Sequence, residues 1–386
     1  MRCLLTVLLG LFLSSAMAAP VIIPAPPQLA TEGHILLDAV TGAVLVEQNA
    51  EMRLPPASLT KIMTSYVIAS EIAAGRISPQ DTVPISVKAW KTEGSRMFIR
   101  EGTEVSVEDL IRGIVIQSGN DASVAMAEYI AGDEAAFADV MNQIAQQLGM
   151  TRSQFKNATG LPDEGHYTTA KDMSILAQAL IRDYPGHYEI YREKYFSYND
   201  IRQPNRNRLL WADDSVDGVK TGHTQAAGYC LVASAERDTM RLISVVMGAT
   251  SERARATESQ KLLNYGFRYY ESVQLYEPFD SLQRVKVWGG MHGSLDVGLE
   301  ATARLTIPRG KRGELEAEIT LEPVISAPID QGQQLGQLIV RLDDTIVLDR
   351  PLIALNAVQE AGWVSRATDA VHLFFIETFS GDPLAL

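Results

Sequence analysis

The chain has 386 residues, with 34 Lys and Arg against 47 Asp and Glu, a formal net charge of −13. That acidic balance excludes the basic surface that nucleic-acid binders present, so no nucleic-acid partner is expected. The length allows two domains with ample core for the larger.

The first residues, MRCLLTVLLGLFLSSAMAAP, combine Arg2, an apolar run from Leu4 to Leu13, and small residues ending in Ala16-Met17-Ala18. This is the pattern of a secretory signal with an A-x-A cleavage site, expected over residues 1–18. The run is too short for a stable bilayer anchor. Export to the periplasmic side of a bacterial inner membrane is the expectation. Of the two cysteines, Cys3 leaves with the signal and Cys230 remains inside GYCLVASA. A lone cysteine in an apolar run reads as a small buried hydrophobe, and no intramolecular disulfide can form.

After a proline-rich lead, HILLDAVTGAVLVEQNA predicts a β-hairpin turning at Thr41-Gly42. The stretch PPASLTKIMT then enters a helix predicted over residues 59–74 and stopped by Gly75. Ser is a favoured N-cap there, and its usual partner three residues on is Glu or Gln. Lys61 occupies that position instead, and a cation in a first helical turn opposes the helix dipole. Ser58 and Lys61 share one helical face, so the alternative is that they touch and that the lysine gives up its proton.

Further helices are predicted over residues 107–116 behind a Ser106 cap, 122–130, 134–148 before Gly149, and 170–183 behind Thr169. YCLVASAE and MRLISVVMG predict consecutive buried strands, and residues 253–266 a closing helix. Strands at both ends with helices between give an α+β domain, helices on an antiparallel sheet. From Gln283 to Leu355 short β runs are split by Gly, Pro and Asp turns, which predicts a separate all-β domain. In the last segment Trp363, Val364, Ala367, Ala370, Val371, Phe374 and Phe375 share one helical arc, with Ser365, Asp369 and His372 opposite. An amphipathic helix resting on the membrane surface fits this pattern. The same pattern also fits a terminal helix docked on the β domain.

A Ser-Lys pair three apart arises by chance about once in a chain of this size, and such motifs need context. Two companions supply it: SGN at Ser118 to Asn120 and KTG at Lys220 to Gly222, the latter heading a strand. SYN at Ser197 to Asn199 also matches Ser-x-Asn, so the middle motif is weak alone. Together Ser-x-x-Lys, Ser-x-Asn and Lys-Thr-Gly are the signature of penicillin-binding proteins and serine β-lactamases. With FKNATGLPDEGHYTTAKDM, IQSGNDA and DGVKTGHT between and around them, the chain resembles the low-molecular-mass penicillin-binding proteins that are D-alanyl-D-alanine carboxypeptidases. The resemblance covers essentially the whole chain. It implies a penicillin-binding-protein/β-lactamase-like catalytic domain over residues 28–273, a β-rich domain over 274–358 and a membrane-associating tail over 359–386.

Serine is a poor nucleophile without an adjacent base. Lysine can serve if desolvation and positive surroundings keep it partly neutral. The resemblance implies that Ser58 attacks the carbonyl between two D-alanines while Lys61 takes its proton. Ser118 would protonate the leaving D-alanine beside Lys220, and Asn120 would position Lys61 and the substrate amide. The backbone N–H groups of Ser58 and His223, the residue after Gly222, would hold the oxyanion. Thr221 and an arginine in SERARATES, Arg255 first and Arg253 second, would bind the substrate carboxylate. The implied partners are a peptidoglycan pentapeptide, β-lactams as covalent inhibitors and the inner-membrane surface.

His166 reads as a loop-holding residue, and Asp163 and Glu164 as a solvated loop. His34, His187, His292 and His372 are scattered without zinc-ligand spacing, so no metal or other cofactor is expected. A class A β-lactamase would need a deacylating glutamate in an E-x-x-L-N context, and none lies between Asn120 and Lys220. An endopeptidase of D-alanyl crosslinks is separated poorly by sequence, while the β domain and tail favour the carboxypeptidase. A non-catalytic penicillin-binding scaffold is opposed by the presence of every nucleophile, base and relay residue.

Overall fold

The computed structural model describes residues 23–379. The export signal expected over 1–18 lies outside the described residues.

The expected hairpin is β1 (Gly33–Asp38) and β2 (Val44–Gln48), paired antiparallel. Its turn is set by the Asp38 carboxylate, which accepts from the backbone N–H of Val40 at 2.8 Å and Thr41 at 3.1 Å, an Asx-type turn. Helices α1 (Thr60–Ala73), α2 (Val107–Arg112), α3 (Asn120–Ala131), α4 (Glu134–Gln147) and α5 (Ala170–Asp183) follow. Ser106 and Thr169 cap α2 and α5 as expected, each accepting from a backbone N–H three residues on. Such caps contribute about 1 kcal/mol apiece. The chain then runs through β3 (Val216–Thr224), β4 (Gly228–Arg237), β5 (Met240–Ala249) and α6 (Glu252–Tyr269).

The strands form one antiparallel sheet in the order β2-β1-β5-β4-β3. Alternate residues serve two cores. Ile35, Leu37, Cys230 and Val232 face α1 and the other helices, whereas Leu36, Leu231 and Ala233 face Leu262 and Leu263 of α6. Covering both faces explains why CLVASA and LISVV read as continuous apolar runs. Burial also pushes the Cys230 thiol up to about 11, consistent with a packing role. Helix α1 is buried on nearly every side, with Ile62, Met63, Val67 and Ile68 fully enclosed, so it is a core element rather than an amphipathic surface helix.

β6 (Tyr270–Tyr276) leaves α6 directly and enters the β-rich part, with β7 (Gln283–Lys286), β8 (Ser294–Gly298), β9 (Ala303–Pro308), β10 (Leu315–Leu321), β11 (Gln334–Leu342) and β12 (Thr345–Ala354). β6 pairs with β9, and the rest form a five-stranded sheet ordered β7-β8-β12-β11-β10. Thr306 on β9 donates to the Asp38 carboxylate at 2.9 Å, which ties this part to the β1–β2 turn.

The last helix, α7 (Trp363–Phe379), is a terminal helix that touches the β-rich part. Its polar edge is docked: the Asp369 carboxylate accepts from the Gly289 N–H at 2.9 Å, and the His372 ring packs edge-on against Trp288. On this helix Trp363 is 77% and Phe374 63% exposed. No helix among the described residues is long and apolar enough to cross a membrane.

Candidate active site

Ser58 is the middle residue of a 3-10 turn, Ala57–Leu59, that runs into α1 with no side-chain cap. The serine therefore does not do the N-capping work that its sequence position invites, and its hydroxyl is left for other use. Ala57 before it has φ +48°, a left-handed conformation that costs a non-glycine residue about 1 kcal/mol or more. The turn is clamped by β3. A Cβ at Gly222 would stand 3.1 Å from the Pro56 carbonyl oxygen and 3.2 Å from the Ala57 Cβ, so glycine lets the KTG strand press against the serine turn.

Lys61 follows on the first turn of α1 and is 1% exposed. Its Nζ lies 3.2 Å from Ser58 Oγ, 2.7 Å from Asn120 Oδ1 and 2.6 Å from the Thr159 carbonyl oxygen. Asn120 is oriented in turn, because its Nδ2 donates to the Glu93 carbonyl at 2.6 Å. Burial lowers the Lys61 pKa to about 7, helped by the Arg206 guanidinium and opposed by the Asp121 and Glu134 carboxylates. The Ser-Lys contact read from sequence is thus present, and desolvation rather than the helix end is the main cause of the shift.

Ser118 reaches the same cleft by a different device. The helix expected over 107–116 is α-helical only to Arg112, and Gly113–Gln117 forms a π-helical turn, a wider coil frequent at functional sites. Ser118 then takes a left-handed conformation, φ +66°. Its Oγ is buried with no hydrogen-bond partner among the described residues. Asp121, the second residue of α3, receives the backbone N–H groups of Met97, Phe98 and Ile99 and so folds the preceding loop over this site. By contrast, the competing Ser197-Tyr198-Asn199 match sits in a separate small hairpin, residues 195–204, outside the cleft.

The cleft, of about 230 Å³, is lined by Ser58, Ser118, Thr221, Gly222, His223 and Arg255 among others. Lys61, Asn120 and Lys220 lie buried beneath. The Lys220 pKa is driven well down by burial, then by Lys61, Arg206 and Arg255; two buried ammonium groups under one floor disfavour each other. Arg255 is buried and donates to the Gly222 carbonyl at 3.1 Å, whereas Arg253 is exposed. The His223 ring stacks on Tyr229, 4.0 Å between centroids. Because β3 is the sheet edge, its outward side has no neighbouring strand in that sheet and can accept an extended peptide.

Sequence reasoning missed three contributors. Arg206 lines the cleft, and its Nε donates to the Gln117 carbonyl at 3.0 Å. Its loop is shaped by asparagines on either side: Asn205 Nδ2 donates to the Tyr191 carbonyl and Asn207 Nδ2 to the Gly218 carbonyl. The only local signal was the Asn-Arg-Asn run. The Thr159 carbonyl and the Asp121 anchor are the others. His166 holds its loop as expected, its Nε2 lying 3.0 Å from Thr60 Oγ1 while burial lowers its pKa to about 4.

Comparison with known proteins identifies the family. The pattern of peptidase family S11, D-alanyl-D-alanine carboxypeptidase, matches residues 21–251, and that of the penicillin-binding protein 5 C-terminal domain matches residues 270–360. The chain is 44% identical to D-alanyl-D-alanine carboxypeptidase DacC of Escherichia coli, over 96% of this chain and 94% of that one. Penicillin-binding protein 5 of Haemophilus influenzae superposes with a TM-score of 0.84 at 42% identity, over 87% of this chain and all of that one. Penicillin-binding protein D2 of Listeria monocytogenes, solved in an ampicillin-bound form, superposes with a TM-score of 0.59 at 29% identity, over 63% of this chain and 100% of that one. The chain belongs to the S11 family of serine peptidases, the D-alanyl-D-alanine carboxypeptidases, and carries the C-terminal domain of penicillin-binding protein 5.

Proposed function

We propose that the protein is a serine D-alanyl-D-alanine carboxypeptidase that removes the terminal D-alanine from peptidoglycan pentapeptides through an acyl-enzyme on Ser58. One observation carries the reading. A neutral amine has two N–H donors and one lone pair, and Lys61 Nζ has two strong acceptors, Asn120 Oδ1 and the Thr159 carbonyl, with Ser58 Oγ as its third neighbour. Spending both donors on the acceptors aims the lone pair at the serine hydroxyl.

In this mechanism Ser58 Oγ bonds to the carbonyl carbon as its proton passes to Lys61. The C–N bond then breaks, and the leaving D-alanine nitrogen takes the proton that Lys61 gained, passed through Ser118, whose hydroxyl has no hydrogen-bond partner among the described residues. Water completes the cycle by attacking the ester, with Lys61 again taking a proton and Ser58 regaining one. The N–H groups of Ser58 and His223 hold the oxyanion. Thr221 and Arg255 hold the terminal carboxylate, Asn120 positions Lys61 and the substrate amide, and Lys220 is the charged neighbour of Ser118. Penicillins present an amide and a carboxylate to the same groups and would acylate Ser58 as inhibitors.

The protein would act on the periplasmic face of the inner membrane after losing residues 1–18, with the apolar arc of α7 on the lipid surface. The test is incubation of the purified mature protein with a peptidoglycan pentapeptide and assay of free D-alanine. Release that disappears in Ser58→Ala, together with covalent penicillin labelling, is the expected result. No release with Ser58 intact would sink the reading.

A further inference from the structure

A larger pocket, of about 650 Å³, opens beside the catalytic cleft and shares Arg206 and Glu252 with it. Gln117, Arg208 and Trp211 complete its working walls. Its position relative to the chemistry follows from covalent neighbours. Gln117 immediately precedes Ser118, the group that protonates the departing nitrogen, and its carbonyl is held by Arg206 Nε. On the other side Arg255, which takes the departing residue's carboxylate, lies 3.6 Å from Glu252. The pocket therefore begins where the side chain of the departing residue emerges. The methyl group of D-alanine would leave nearly all of it empty.

We propose that this pocket is a subsite for the side chain of the departing D-residue, and that it accepts a long aliphatic chain ending in a carboxylate. The inference rests on the carboxypeptidase reading of the cleft. Trp211 supplies the apolar wall: its indole is 41% exposed and held edge-on by Tyr195 at 5.7 Å. The charges select the end group. Arg208 Nε and Glu252 Oε1 pair at 3.0 Å and largely cancel, while Arg206 enters no ion pair among the described residues. A net guanidinium at the inner end favours a carboxylate over an ammonium. The enzyme would then hydrolyse D-alanyl bonds whose amine component is a D-residue with a long acidic side chain, as well as those ending in D-alanine.

The test uses the full mature chain and peptides with one common acyl part ending in D-Ala-D-X, where X is alanine, 2-aminopimelate, norleucine or lysine. Wild type should release 2-aminopimelate with kcat/KM at least equal to that for alanine and about ten-fold above norleucine and lysine, the scale of a single side-chain contact. Trp211→Ala should raise KM about ten-fold for 2-aminopimelate and norleucine while leaving alanine release unchanged, and Trp211→Phe should restore most of the loss. Arg208→Ala, which removes one guanidinium from the pocket and leaves Glu252 with the longer 3.6 Å contact to Arg255, should penalise 2-aminopimelate more than the other three substrates. Rejection of every long side chain by wild type, or variant effects that are equal across all four substrates or absent from all, would overturn the subsite while leaving alanine release intact. Failure to release even alanine would instead remove the carboxypeptidase reading, and the subsite with it.

Discussion

Gly160 packs so tightly on the residue before the nucleophile that a Cβ built on it would stand 1.8 Å from the Ala57 carbonyl oxygen. Gly160 also sits at φ +81° and follows Thr159, whose carbonyl holds Lys61. One glycine thus fixes both the strained serine turn and the base. Gly160→Ala should cost about 2–4 kcal/mol, the sum of a disfavoured φ and a backbone clash, and should slow penicillin acylation in the fraction that folds. Urea unfolding and a labelling time course would measure the two effects; a variant with wild-type stability and acylation rate would refute the clamp.

Lys61→Arg separates charge from basicity. Arginine keeps a cation beside Ser58 but cannot surrender a proton at working pH. Loss of a general base typically costs 10²–10⁴-fold, so acylation should fall by about that range while the thermal unfolding profile remains cooperative. Acylation retained within a few-fold of wild type would remove Lys61 from the proposed role.

How far the site could be read from sequence depended on whether its parts are neighbours along the chain. Ser58 and Lys61 are three residues apart, and SGN and KTG are contiguous, so their residue types were visible at once. Arg206 and the Thr159 carbonyl come from loops whose approach is decided by tertiary contacts such as Asn207 to Gly218, and a carbonyl carries no side-chain signature. The end of α2 misled for another reason. Gly113–Gln117 has the apolar composition of a helix, and nothing in GIVIQ distinguishes a π turn from an α turn until Ser118 must be delivered to the cleft. The central strands of the catalytic part were legible as continuous apolar runs buried on both faces, and helices such as α2 and α5 by their Ser106 and Thr169 caps. In the β-rich part β8, Ser294–Gly298, was hidden by the short, glycine-flanked run SLDVG.

Arg206 offers a test of the electrostatics. Lys61 acts when neutral, so kcat/KM should rise with pH through its pKa of about 7. The guanidinium of Arg206 lowers that pKa. Arg206→Gln removes a positive neighbour, the protonated lysine becomes easier to form, and the acidic limb of the profile should move to higher pH. At pH 6 the variant would then lose more activity than at pH 8.5. A limb that stays in place or moves toward acid would contradict the assigned direction. Arg206 also shares the large pocket, so the substrate for this profile should end in D-Ala-D-Ala.

The tail can be tested apart from the chemistry. Trp363, Val364, Val371 and Phe374 of α7 are exposed, while Asp369 is held by Gly289 and Arg366 is paired with Glu360 at 2.6 Å. With its basic residue neutralised, the helix has only apolar area to offer a bilayer, worth about 25 cal/mol per Å² buried. Binding to vesicles should therefore be nearly independent of salt and similar on neutral and anionic lipid, unlike a polybasic anchor. Trp363→Ser with Phe374→Ser should reduce co-sedimentation at least ten-fold, since two large side chains together bring more than 1.4 kcal/mol, the equivalent of ten-fold, through their burial. Deletion after Gln359 should abolish it without loss of D-alanine release. A double variant that stays on the vesicles would show that the exposed arc is not the membrane-facing surface.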